Sequence, residues 1–155
     1  MAKVKSGALA GRGKRIGIAV ARVNEVVTER LLRGATEALE AAGVASDDIA
    51  VCWVPGAFEL PLACRWLAES GRVDAVVMLG AVVRGGTDHY EYGCRGVTDG
   101  AMRLGLDLGV PVGFGVLTCA EMDQALARAG GDAGNKGADA AMAALAMADL
   151  RGQWR

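Results

Sequence analysis

The stretch AVVMLGAVVRGGTDHYEYG, Ala75–Gly93, decides the fold. The run from Val73 to Val83 is apolar enough to read as a strand covered on both faces. It then breaks into Arg84, Gly85, Gly86, Thr87 and the chain's only histidine, His89, with Tyr90 and Tyr92 just beyond. A surface turn needs a glycine; it does not need that whole group.

Outward from this strand the chain alternates between two hydrophobic periods. Lys14–Ala21 (KRIGIAVA) and Asp48–Val54 (DIAVCWV) read as two earlier strands, and Pro111–Thr118 (PVGFGVLT) as a fourth. Between the first two, Asn24 offers an N-cap, and Val27, Leu31, Ala35, Ala38 and Ala42 fall on one helix face. Gly43 suits the stop. Leu60, Cys64 and Leu67 mark a second helix, with Pro61 near its start, where a missing N–H is tolerated, and Gly71 at its end. A long helix is expected from His89 to Leu108. Helical stretches over Ala120–Gly130 and from Ala138 to Leu150 close the chain. Strand and helix in alternation with short connections predict a parallel sheet with helices on both faces. A ligand then belongs at the carboxyl ends of the strands, where ARVNE, VPGAFELP and RGGTDHY lie.

Composition limits the alternatives. With 155 residues, 52% hydrophobic and 23% charged, the chain reads as one folded domain over residues 1–155, with 1–13 as an N-terminal arm. A net charge of −1 points to neither nucleic acid nor a membrane surface as the main partner. No apolar run reaches the ~18 residues of a membrane helix. Cys52, Cys64, Cys94 and Cys119 form no Cys-x-x-Cys pair, and one histidine cannot complete an ordinary zinc set. No metal is expected, and reduced thiols suit a cytoplasmic protein.

Each motif has a functional and a plain reading. Gly85, Gly86 and Thr87 can cradle a phosphate at a helix N-terminus, or form a glycine turn before a helix. They make neither a Walker A loop nor a dinucleotide fingerprint. His89 is a proton carrier near neutrality or a surface residue. Ala57, Phe58 and Glu59 can bind a planar polar ligand and hydroxyls, or simply join strand to helix. Arg128 and Lys136 flank a glycine-rich loop as an anion site or as two solvated charges.

Four segments stand in a shared order and spacing: WVPGAFELP (Trp53–Pro61), GAVVRGGTDHYEY (Gly80–Tyr92), PVGFGVLT (Pro111–Thr118) and RAGGDAGNKGADAA (Arg128–Ala141). With them the chain strongly resembles the lumazine synthases, over nearly its whole length. The resemblance implies a three-layer α/β/α sandwich around a four-stranded parallel sheet, flavodoxin-like. In it Lys5–Gly13 (KSGALAGRG) would add an edge strand to a neighbouring subunit. It implies condensation of 5-amino-6-(D-ribitylamino)uracil with 3,4-dihydroxy-2-butanone 4-phosphate, giving 6,7-dimethyl-8-ribityllumazine, phosphate and water, with no cofactor. The amine attacks the ketone to give a Schiff base, phosphate is eliminated, and the second amine closes the ring.

Carried onto this sequence, the resemblance gives Gly86, Thr87 and Arg128 the phosphate, His89 the general acid/base role, and Lys136 a share of the positive field. Ala57, Phe58 and Glu59 take the pyrimidine and its ribityl chain. Val23, Asn24, Ala81, Val82, Val83 and Phe114 complete the substrate pocket. The site would lie between adjacent subunits of a homo-oligomer, with Phe114, Arg128 and Lys136 coming from the neighbour. The compact length of RAGGDAGNKG matches members that build an icosahedral 60-mer, with pentamer or decamer as the alternatives and riboflavin synthase as the implied cargo. One departure stands out. Val23 occupies a position usually held by an aromatic residue that stacks on the pyrimidine, a contact worth roughly 1–3 kcal/mol. A second reading, a flavin-binding or shell-forming protein without efficient catalysis, rests on Val23 alone. A third, a generic nucleotide-binding domain, lacks its usual fingerprints.

Overall fold

The computed structural model describes residues 2–155; Met1, the first residue of the expected arm, lies outside the described residues. Four parallel strands, β1 (Ile16–Ala21), β2 (Ile49–Val54), β3 (Ala75–Val83) and β4 (Val112–Cys119), lie in the order β2-β1-β3-β4. Register runs straight across the centre, with Ile18 between Val51 and Val77. Helices α1 (Glu25–Ala41) and α5 (Lys136–Gln153) cover one face, and α2 (Leu60–Glu69) and α3 (His89–Leu108) the other. This is the expected three-layer α/β/α sandwich.

Alternation within the strands divides the core. Ile16, Ile18, Val20, Val77 and Leu79 point to α1 and α5; Ala19, Ala21, Val76 and Met78 point to α2 and α3. The central strands are buried on both faces, so each carries a continuous apolar run. Fully burying one such side chain stabilises by about 1.5–3 kcal/mol. The stripe of α1 is Val27, Leu31, Ala35 and Leu39. The expected Ala38 and Ala42 are only half-buried, because the i+4 row that starts at Val27 passes through Leu39 instead.

Helix α3 keeps its expected bounds in spite of four internal glycines. Two of them are required by packing. A Cβ on Gly96 would press on the Phe58 ring at 3.2 Å, and one on Gly100 would meet Pro61 at 2.6 Å. The helix gives up about 0.5–1 kcal/mol of propensity per glycine and gains close contact with the segment between β2 and α2.

Two expectations at the end of the chain are corrected. The helix expected over Ala120–Gly130 is only α4 (Met122–Ala127), opened by a Glu121–Gln124 capping box. A small antiparallel hairpin follows, β5 (Ala129–Gly131) and β6 (Gly134–Asn135), with Gly130 and Gly134 in the positive-φ region. Helix α5 begins at Lys136, not Ala138, because Asn135 caps it by accepting from the Ala138 N–H.

Residues 2–13 form no strand within the chain. Lys5–Ala8 lie along α5, with Gly7 packed against the Ala146 carbonyl so closely that any Cβ would collide, and the Gly11 N–H donates to the Ala42 carbonyl at the end of α1. The Ala8 N–H donates to Asp149 at 2.9 Å, Gln153 donates to the Ser6 carbonyl at 2.8 Å, and the Lys5 ammonium sits 4.0 Å from the Trp154 ring centre. The Ala8 amide, together with Gln153, holds the Asp149 carboxyl below its usual range.

Candidate active site

The strand order reverses between β1 and β3, the place where an open α/β sheet leaves a crevice for a ligand. A cavity of about 280 Å³ lies there. Its walls are Val23 and Asn24 after β1, Ala57 and Phe58 after β2, Ala81, Val82 and Val83 at the end of β3, and Thr87 and His89 beyond. Most of the expected ring-binding residues thus meet around one space. Gly56, Gly85, Tyr90 and Gly93 also line it; Gly85 carried a sequence signal as part of the glycine cradle and Tyr90 as an aromatic beside His89.

The Arg84–Tyr90 loop explains the odd composition after β3. The Arg84 N–H donates to the Cys119 carbonyl at 2.9 Å, which pins the loop to β4. The Arg84 guanidinium stands 4.8 Å from the Tyr90 ring centre, so cation and ring draw the two ends of the loop together. Between them, the amides of Gly85, Gly86 and Thr87 have no hydrogen-bond partner among the described residues. Space is open where a Cβ of Gly85 or Gly86 would stand. Free amides, open space and the N-terminus of a twenty-residue helix make a chemically sound place for an anion. His89 opens that helix, its N–H lying 3.4 Å from Thr87 Oγ1 and its imidazole exposed.

Not every expected residue lines this cavity in the expected way. Gly86 is not on the cavity wall, although Gly85 and Thr87 are. Glu59 precedes α2 with its carboxylate exposed and caps nothing. Asn24 occupies the N-cap position of α1 but makes no side-chain cap; its amide Nδ2 donates instead to the Ala81 carbonyl at 2.8 Å.

Arg128 and Lys136 border a different cavity, of about 360 Å³, beside the end of β4. The hairpin brings them together: the Lys136 N–H donates to the Arg128 carbonyl at 2.8 Å. Asn135 ties the hairpin to α1 by donating to the Arg30 carbonyl at 3.0 Å. The Arg128 guanidinium is exposed and donates only to the Gln124 carbonyl of its own turn. Thr118 and Asp139 share this cavity. Phe114 lies in neither place. It borders a larger apolar groove of about 620 Å³ along β4, between α3 and α5, with Met102, Leu106, Met147 and Trp154.

The cysteines form no disulfide. All four are free, and burial pushes the thiols of Cys52, Cys64 and Cys94 up, away from the reactive thiolate. Among the described residues no group of His, Cys, Asp and Glu could hold a metal ion. No helix among them is long and apolar enough to cross a membrane.

Fold and site together define the class: a flavodoxin-like α/β protein with its candidate site where the strand order reverses. A sequence model of the 6,7-dimethyl-8-ribityllumazine synthase family matches residues 13–152, and the chain belongs to that family. It is accordingly a transferase, and its family serves riboflavin biosynthesis.

Proposed function

We propose that this chain joins 5-amino-6-(D-ribitylamino)uracil to 3,4-dihydroxy-2-butanone 4-phosphate, releasing phosphate and water and forming 6,7-dimethyl-8-ribityllumazine. The observation that carries the reading is the single cavity bordered by Val23, Ala57, Phe58, Ala81–Val83, Thr87 and His89. In this reading the pyrimidine lies against Val23 and the backbone of Ala81–Val83, with Ala57 and Phe58 beside it. Glu59 takes the ribityl hydroxyls. The phosphate rests on the loop of Gly86 and Thr87. His89, beside the leaving group, moves protons during Schiff-base formation and elimination.

Arg128, Lys136 and Phe114 enter this site from an adjacent copy of the chain. Two observations support that. The cations border another cavity than His89 does, and Phe114 borders an apolar groove with exposed Met102, Leu106 and Trp154. Such a groove suits a second copy better than water. The domain over residues 1–155 then works as part of a homo-oligomer, pentamer or 60-mer, in the cytoplasm. Its arm pairs with a neighbour's sheet edge, and a closed shell has room for riboflavin synthase as cargo.

Most of the acceleration comes from holding two reactants together and from charge stabilisation at the leaving phosphate. His89→Ala therefore slows turnover by about a hundredfold, the lower end of what a general acid–base contributes, and does not abolish it. The test is direct. The assembled protein is mixed with both substrates, and the absorbance and fluorescence of the lumazine are followed above the uncatalysed background. No excess rate from assembled protein would overturn the assignment and favour a ring-binding or shell role.

Val23 gives a second test. It is 56% exposed on the cavity wall, so a larger side chain fits there without disturbing the core. Val23→Phe should lower the pyrimidine KM by about tenfold, as expected for about 1.4 kcal/mol of added stacking. An unchanged KM would rule out stacking at this position.

A further inference from the structure

Asn24 is the only non-glycine residue with positive φ among the described residues, at φ 61° and ψ 49°. An L-residue adopts this left-handed conformation at some cost, and asparagine is among the few that tolerate it. The position itself calls for something else. A residue at the start of a helix usually turns its side chain onto the amides of the first turn. Asn24 does not; its carbonyl accepts from Val27 at 2.9 Å and Thr28 at 3.1 Å, while its side chain leaves the helix altogether. A strained backbone and a forgone cap at one residue beside a cavity point to a local purpose.

The geometry supplies that purpose. The segment Arg22–Asn24 crosses the carboxyl ends of three strands. The Arg22 N–H donates to the Val54 carbonyl at 2.8 Å and the Val23 N–H to the Pro55 carbonyl at 3.2 Å, which fixes the segment to the end of β2. The Asn24 amide then reaches the other way, to Ala81 of β3 at 2.8 Å. Strands β1 and β3 are the pair between which the strand order reverses. Asn24 therefore spans the mouth of the crevice, and Val23, Ala81, Val82 and Val83 are the walls it holds together.

We infer that Asn24 is a positioning residue: its hydrogen bond to the Ala81 carbonyl sets the spacing between Val23 and the Ala81–Val83 backbone, and hence the grip on a planar ring. The inference rests on the proposed function for the identity of that ring. It gives Asn24 a task distinct from contact with the substrate. The left-handed backbone is what lets the side chain point at β3 instead of along α1.

Two variants separate the parts of this device. Asn24→Gly keeps the left-handed backbone at no steric cost but removes the tether. Asn24→Asp keeps shape and size but sets a carboxylate against the Ala81 carbonyl, with no hydrogen to donate. Both are assayed as assembled full-length protein, for turnover and for calorimetric binding of a 6-ribitylaminopyrimidine-2,4-dione that lacks the reactive 5-amino group.

The expected result is a loss of about tenfold in affinity for this analogue and in the pyrimidine KM. The kcat and the KM for the phosphate-bearing ketone should stay within about twofold of wild type, consistent with loss of uniform binding alone. Wild-type affinity in both variants would overturn the inference. So would equal damage to both KM values and to kcat, which would mark Asn24 as a general structural residue. Failure of either variant to assemble would count the same way unless the other shows the split. Wild-type protein that neither binds the analogue nor turns over would overturn the proposed function instead.

Discussion

Subunits carrying His89→Ala, coexpressed with subunits carrying Arg128→Ala, should recover about a quarter of the wild-type rate, the fraction that random mixing allows in a ring of head-to-tail contacts. Each variant alone should be slow. Loss of the Arg128 guanidinium removes a charge-assisted donor, and losses of that kind cost about 10²–10³ in rate. The reasoning starts from one chain. His89 and Arg128 border separate cavities, and the hairpin that presents Arg128 is anchored to α1 through Asn135. If each site takes His89 from one copy and Arg128 from the next, a mixed ring contains sites in which both are intact. Sites built within one chain would never be repaired by mixing. Coexpressed protein no faster than the average of its parents would therefore overturn the shared site.

Gly137→Ala should destabilise the protein by about 3 kcal/mol, the upper part of the usual cost of overpacking, while Gly152→Ala in the same helix should stabilise it slightly. A Cβ on Gly137 would collide with the Leu31 carbonyl of α1, backbone against backbone, so no side chain can swing aside. Gly113 of β4 faces the Ala140 carbonyl just as closely. Helix α5 is thus seated between α1 and β4 by small residues on both sides. Gly152 has nothing within 4 Å of its added Cβ, and there alanine simply improves helix propensity by up to about 1 kcal/mol. Denaturation at matched protein concentration checks both. Equal effects would mean that glycine acts through propensity alone and that the close seating of α5 contributes little.

Local pattern made the sheet and α3 legible, because buried parallel strands are continuous apolar runs and His89–Leu108 lies between a clear strand end and Gly109. The stripe of α1 was legible except at its far end, where Leu39 continues the row. The hairpin was not legible. Its strands are too short for any period, and Asn135 settles it through α1, far away in sequence. The same limit hid the use made of Asn24. The residue type announces a cap, whereas the side chain serves a tertiary bond to Ala81. On the site, the loops that end β1, β2 and β3 could be read in sequence order, and they meet around one cavity. Arg128, Lys136 and Phe114 carry no local mark of which surface they serve.

Strand β2 has a neighbour on one side only, and Ala50 and Val51 are exposed along it. Its other flank is a row of open amides and carbonyls bearing apolar side chains, a template on which any loose strand can grow. Asp47 and Asp48 stand immediately before the strand and Pro55 immediately after it. Charge repels a second copy stacking in register, and proline has no N–H to extend the ladder. Asp47, Asp48 and Pro55 are thus the residue types that oppose strand-on-strand growth, set at the two ends of the sheet edge that carries exposed apolar side chains.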